Sequence, residues 1–457
     1  MVPLIRTLPN GNGFGNRPIP GFLANLQKMR PKATGAYKAL IALSLLYFLR
    51  PEDVIPGLVL IPWAKIAGGV ALIAVLTTLM SGKANFRIPV ELKLLMVFWF
   101  WYLLAVPTAY WKGGALSYVL FRLSKCVIVV FLVTGLCDQF WMVKRLVWVQ
   151  SMSVALMTVA SVAVHHTQGG RLTGVLGGVF ENPNDLAINI ALNWPLCIAF
   201  FFMSKKPLNR LLWLTAILVM IFAIQMTYSR TGFVALGLAG VLVLYEFGWR
   251  GKRMWLIGVA LLLGLLVIVA APGNYSARIA SIVTGNDPNS LDKGSREARK
   301  ELLIASLETA LHNPILGVGA AGFQASMGHF KVAHNTYTEI AADAGFPAVS
   351  LFIAVIFCCF RNLRVTRRSA AYHSDKDVKI LTGGLWVCLA AYCVSAFFAS
   401  TEFSLYPYFV FAYTTALRNT TSEESSLRPG PKKSLWLSRF EESKYADEPA
   451  KQLAETR

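Results

Sequence analysis

Residues 254–271 read MWLIGVALLLGLLVIVAA, a stretch without a single charged side chain. At about 1.5 Å per helical residue the run covers roughly 27 Å, close to the hydrocarbon thickness of a bilayer. Eleven further apolar segments recur along the chain, at about 36–49, 64–80, 92–110, 115–136, 146–164, 184–203, 211–226, 232–247, 345–360, 380–400 and 405–418. In hydrocarbon every backbone N–H and C=O needs an internal partner, so such segments are expected as helices. The reading is an all-α polytopic integral membrane protein with about twelve transmembrane helices. Composition agrees: 55% of the residues are hydrophobic and 15% charged, where a soluble domain carries about 25% charged residues.

Charge fixes the expected orientation. With the N-terminus in the cytoplasm, 31 of the 44 Lys and Arg fall on the cytoplasmic side, 11 outside and two within a span. Six of the outside cations lie in one long loop, which obeys the charge rule weakly, so the short loops decide for both termini inside. The net charge of +20 then reads as cytoplasmic retention of cations and affinity for anionic membrane lipids, and nucleic acid is not expected as a partner. Residues 1–35 are Gly/Pro-rich and basic without a following h-region, so the first apolar segment itself is expected to direct insertion. They form a disordered cytoplasmic N-terminus, residues 36–418 the transmembrane domain, and the polar residues 419–457 a disordered cytoplasmic tail. The seven cysteines lie in or beside apolar segments, with neither disulfide nor metal-ligand spacing, and read as small packing residues.

Three external segments carry the chemistry-bearing groups. Residues 165–183 read HHTQGGRLTGVLGGVFENP and run into Asn184 and Asp185; residues 227–231 read TYSRT; and 272–344 is a loop of about 73 residues. Within the loop, Gly294–Leu311 is predicted as an amphipathic helix with Ser295 as N-cap and an apolar stripe of Leu302, Leu303, Leu307, Ala310 and Leu311. It is expected to lie on the membrane boundary or over a cavity, and to end at Pro314 and Gly317-Val318-Gly319. Arg299 and Lys300 are expected on its wet face.

Arg171 and Arg230 are the basic residues of their short segments, and a guanidinium offers a permanent charge with a fork of donors suited to phosphate. Either could equally snorkel to lipid headgroups. Asn182-Pro183-Asn184-Asp185 opens a span, where Asn184 or Asp185 can cap the helix or its N-terminus can help to hold an anion. Tyr228 fits an aromatic belt. His334 opens the stretch HNTYTEIAADAG at 334–345; a neutral imidazole there can take a proton from a hydroxyl while a carboxylate or carbonyl holds its other nitrogen. A helix starting near Asn335 places Glu339 and Asp343 on one face. Arg122 and Lys125, three residues apart inside the fourth span, mark a polar cavity or snorkel outward.

Taken together, GGRLTG…NPNDLA at 169–187, YSRTG at 228–232, SREARKELLIASLETALHNPILGVG at 295–319 and HNTYTEIAADAG at 334–345 resemble the O-antigen ligase and polymerase superfamily of GT-C membrane glycosyltransferases, in its ligase-like form. LYFLRPEDVIPGLVLIPWAKIAG at 46–68 resembles N-terminal regions of ligase-like members. The resemblance implies a glycan donor on undecaprenyl pyrophosphate, used at the periplasmic face of a bacterial inner membrane in envelope polysaccharide biosynthesis. It implies Arg171 and Arg230 on the pyrophosphate, His334 on the acceptor hydroxyl, and no metal or nucleotide cofactor. Arg296 matches a recurring family Arg and is carried over as a donor contact; Asn182, Asn184, Tyr228, Asn335, Glu339 and Arg122 complete the expected substrate-binding set. The chain departs from the pattern at Asp343, where many members have Glu, and at Glu301, where an aromatic is frequent.

The reading that results is transfer of the glycan to lipid A-core oligosaccharide or a comparable acceptor. A polymerase or a protein O-oligosaccharyltransferase would differ only in the acceptor. A transporter or flippase of lipid-linked sugars would spread charges through several spans, whereas here only Arg122 and Lys125 lie well inside one.

Overall fold

The computed structural model describes residues 35–50, 63–80, 88–165, 167–168, 170–174, 182–269, 290–328 and 331–427. Each of the twelve apolar segments carries a helix. Before the long loop these are α1 (Gly35–Leu49), α2 (Trp63–Met80), α3 (Val90–Leu104), α4 (Lys112–Leu136), α5 (Phe140–Val164), α6 (Pro183–Met203), α7 (Pro207–Met226), α8 (Arg230–Trp249) and α9 (Trp255–Val269). The loop contributes α10 (Ser290–His312) and the short α11 (Gly322–Ser326), and α12 (Thr336–Arg367), α13 (Ala370–Ser374), α14 (Lys376–Ser395) and α15 (Leu405–Leu427) follow. Among the described residues seven helices, α4 to α8, α12 and α14, are long and apolar enough to cross a membrane, and α1 and α2 are shorter apolar helices. The only strands described are the two-residue pair β1 (Thr167–Gln168) and β2 (Arg171–Leu172), antiparallel with Gln168 opposite Arg171.

Helix α6 is the central post, buried almost throughout and packed by α5, α7, α8 and α14. Gly232 lets α8 approach it closely, since a Cβ there would stand 2.3 Å from that of Ala187. Outward-facing side chains such as Phe121, Leu261 and Phe357 stay exposed, as a lipid-facing surface requires.

Two sequence expectations move at element ends. Ser295 lies inside α10, which begins at Ser290, and so is not its cap. Residues 419–427, expected in the disordered tail, continue α15, where Thr420 and Thr421 are buried and return their hydroxyls to the Leu417 carbonyl. Residues 1–34, 428–457 and 270–289 lie outside the described residues.

The two ends of the bundle differ in chemistry. At the end holding the last turns of α8 and α12, the buried Glu246 accepts from Arg250 Nη1 at 2.9 Å and Arg367 Nη2 at 2.8 Å, and Lys144 pairs with Asp377 at 2.6 Å. The opposite end holds the starts of α6, α8, α12 and α15, where the candidate site groups gather.

Candidate active site

The turn 227–231 is built by its own hydroxyls. Tyr228 adopts a left-handed φ of 49°, Thr227 Oγ1 accepts from Ser229 N at 3.2 Å, and Ser229 Oγ caps α8 by accepting from Gly232 N at 3.2 Å. Arg230 follows as the first residue of α8 and Tyr228 is half-buried beside it. Against this turn lies Arg171 from β2. Its Nε donates to the Thr227 carbonyl at 2.8 Å and its Nη2 to Asn184 Oδ1 at 3.0 Å. The same Asn184 oxygen accepts from Ser229 Oγ at 2.8 Å. Asn184 therefore ties the two sequence motifs together, and two of the guanidinium's five donors fix the plane of Arg171. The α6 cap is Asn182, whose Oδ1 accepts from Asn184 N at 2.9 Å, rather than Asn184 or Asp185; Pro183 occupies the first helical position, and that frees the Asn184 side chain for Arg171.

Beside this cluster a cavity of about 590 Å³ opens among α1, α4, α6, α14 and α15. Arg50, Arg122 and Lys125 line it with Asp185 and Glu402. Arg122 sits 4.6 Å from the Tyr118 ring centroid, in a π-helical stretch of α4 (Tyr118–Leu123) of the kind often found at functional sites. Arg122 is thus a cavity residue. Arg171, Arg230 and His334 are not in its lining; Asp185 joins it to the Arg171 cluster, and Val332 and Gln324 to the His334 segment.

His334 precedes α12 with a left-handed φ of 53°, and Asn335 caps the helix, its Oδ1 accepting from Tyr337 N and Thr338 N. Thr336 anchors the start of α12 to the 396–401 loop, donating from its N to the Ala396 carbonyl and from its hydroxyl to the Ala399 carbonyl. Glu339 and Asp343 share a face, as expected, and both are fully buried. Glu339 accepts from Gln324 Nε2 at 2.6 Å, from Ala333 N at 3.1 Å and from Ser400 Oγ. Asp343 accepts from Ala321 N at 2.8 Å and Phe323 N at 3.0 Å, satisfying donors at the start of α11.

Gly345, at φ 76°, breaks α12 just beyond. The turn Pro314–Gly319 fills that break: Val318 N donates to Ala342 O, Gly319 N to Asp343 O and Phe346 N to Pro314 O. A Cβ on Gly345 would stand 2.2 Å from the Ile315 oxygen, so only glycine fits.

Glu339 is not available to hold the His334 ring. Both Glu339 oxygens are engaged elsewhere, and the charged group acting on His334 is the Arg299 guanidinium. Burial first, and Arg299 second, lower the imidazole from 6.5 to about 4, so His334 is neutral at physiological pH. Arg299 is half-buried rather than on the wet face, whereas Lys300 is exposed as expected. The reason is that α10 docks on α12 through Ser306, which donates to Thr338 Oγ1 at 2.9 Å, and this turns Arg299 inward. The apolar stripe divides accordingly: Ala310 is buried, while Leu303, Leu307 and Leu311 face outward. Arg296 lies on α10, and its side chain is outside the described residues.

Sequence reading also missed Glu402. It is 2% exposed, lines the cavity, and its Oε2 has no hydrogen-bond partner among the described residues. Burial, then the nearby Glu339, raise its carboxyl well above the usual range. Its signal was an acid isolated between two apolar segments.

Fold and site together define an all-α polytopic membrane protein with Arg, His and carboxyl groups at the end of the bundle that also holds a basic cavity. The family model described as O-antigen ligase matches residues 196–353, which hold Arg230, α10 and His334. That match supports a likeness of this part of the chain to the O-antigen ligase and polymerase superfamily. No curated protein matches the sequence.

Proposed function

We propose that the chain transfers a glycan from undecaprenyl pyrophosphate to an acceptor hydroxyl on lipid A-core oligosaccharide or a comparable acceptor, at the periplasmic face of a bacterial inner membrane. The observation that carries this is the Arg171–Asn184–Ser229 junction, which brings a fixed guanidinium beside Arg230 at the end of the bundle that also holds His334. Twelve spans with both termini inside put that end outside.

In the reaction the acceptor oxygen bonds to the anomeric carbon while the bond from that carbon to the pyrophosphate oxygen breaks. The electron pair leaves with the lipid pyrophosphate, and Arg171 and Arg230 neutralise the charge as it develops. Neutral His334 accepts the hydrogen bond of the acceptor hydroxyl and takes its proton. Glu339 acts as a positioning residue: its carboxylate holds Ala333 N, Gln324 and Ser400 around the His334 turn. Arg122 and Arg296 are donor contacts in this reading, with Asn182, Tyr228 and Asn335 shaping the site.

The test is transfer in vitro with purified protein, an undecaprenyl-pyrophosphate glycan, and lipid A-core or glycan acceptors offered separately. A single adduct on lipid A-core that is lost in Arg171→Ala, Arg230→Ala and His334→Ala supports the reading. A ladder of lengthening glycans makes the enzyme a polymerase. Normal transfer in all three variants removes the assigned roles.

A further inference from the structure

A second cavity, of about 500 Å³, lies at the opposite end of the bundle, where the start of α5, the end of α6 and the start of α7 meet. Four cations line it, Lys144, Arg145, Lys205 and Lys206, and no Asp or Glu does. Lys144 is already paired with Asp377 at 2.6 Å. Arg145, Lys205 and Lys206 are exposed, and no ion pair among the described residues neutralises them. The first turn of α7 has no side-chain cap and opens toward the same space, adding a positive dipole end to three like charges. Like charges so arranged repel one another and are stabilised by an anion.

The rest of the cavity says what kind of anion. Its inner wall is aromatic: Trp213 is 2% exposed, stacks on Phe200 at 5.2 Å between centroids, and meets Trp148 edge-on at 6.3 Å. From there an apolar rim continues outward through Trp148 and Leu212, both exposed. A free phosphate would satisfy the cations and leave this wall bare. An amphiphile with a phosphate head and acyl chains satisfies both, and tryptophans at such a boundary lie at headgroup depth.

We infer that the cavity among α5, α6 and α7 binds an anionic phospholipid, its phosphate among Arg145, Lys205 and Lys206 and its chains along Trp148 and Leu212. Positive-charge topology faces this end to the cytoplasm, so the lipid comes from the inner leaflet, on the side remote from the Arg171 and His334 groups. The site is independent of the proposed transfer: the cavity and its cations stand whichever reaction the other face performs.

The experiment is native mass spectrometry of the full chain released from micelles and titrated separately with phosphatidylglycerol, phosphatidylcholine and inorganic phosphate. The parent is expected to retain phosphatidylglycerol at least about tenfold more tightly than phosphatidylcholine, since each surface cation near an anionic lipid contributes roughly 1 kcal/mol. Arg145→Gln, Lys205→Gln and Lys206→Gln combined should lose that preference; Arg145→Lys, Lys205→Arg and Lys206→Arg combined, which keep the charges, should retain it. All six changes are at exposed positions, and Lys144 with its Asp377 pair is left intact. Equal retention of the two lipids by the parent overturns the inference. So does a preference that survives in the Gln variant, or displacement of the lipid by inorganic phosphate at equal concentration.

Discussion

Replacing Arg299 with Gln is expected to move the acid limb of the transfer reaction to higher pH. Transfer requires neutral His334 in our reading, so in the parent the rate falls only as pH drops through about 4, where the imidazole takes its proton. An unperturbed imidazole titrates near 6.5, and burial is the larger of the two causes of the difference, Arg299 the smaller. Removing the guanidinium therefore restores less than half of that gap, about 1 pH unit, equivalent to roughly 1.4 kcal/mol. The Gln variant should show its limb near pH 5 with the neutral-pH plateau set by donor binding alone. The assay is single-turnover transfer with purified protein in detergent from pH 3.5 to 8.5, with the His334 imidazole titrated by nitrogen NMR in parallel. A parent limb near 6.5, or a limb that does not move in Arg299→Gln, refutes the reasoning. A downward move would refute it more strongly, because loss of a nearby cation cannot favour the neutral form.

Arg171→Lys should lower the transfer rate by about tenfold to a hundredfold without changing membrane levels, because an ammonium cannot hold the Thr227 carbonyl and Asn184 together; parent-like kinetics would show that the planar fork is not needed. Gly345→Ala should lower the unfolding temperature in detergent, since a left-handed alanine costs about 1–2 kcal/mol and its Cβ meets the Ile315 oxygen at 2.2 Å. Glu246→Gln leaves Arg367, 19% exposed, without its counter-charge and should cost about 3–5 kcal/mol, read as a lower unfolding temperature with unchanged transfer per folded molecule.

The fold was legible because hydrocarbon admits few solutions: twelve apolar runs meant twelve helices, and each run carries one. The start of α12 was legible near Asn335, although its role as the cap, accepting from two backbone donors, was not. At α6 the cap moved by two residues to Asn182, because Pro183 has no N–H and fits the first helical position. The face of α10 was not legible. Its spacing marks Arg299 and Lys300 as neighbours on a polar side, but which side docks depends on Ser306 meeting Thr338, 32 residues away. The role of Glu339 was not legible for the same reason: it is near His334 in sequence, yet three donors from separate segments claim that carboxylate. Glu402 was passed over because a lone acid between apolar runs resembles a loop residue until the loop is seen folded inward over the cavity.

In the proposed reaction His334 is a base held at about 4 by burial and, to a smaller extent, by Arg299. Without donor, a neutral imidazole lowered to about 4 is a weak proton acceptor. In that reading a pyrophosphate bound near His334 would bring negative charge toward the imidazole and favour its protonated form. On the proposed mechanism, donor binding would then raise the basicity of His334 at the moment a proton must be taken. The expected outcome is that inorganic pyrophosphate, used as a donor mimic, shifts the His334 titration upward by a few tenths of a pH unit or more. Nitrogen NMR of the labelled chain with and without pyrophosphate reads this directly. An unchanged or lowered titration in the parent would separate His334 from the anion site and leave the imidazole with a structural role at the start of α12.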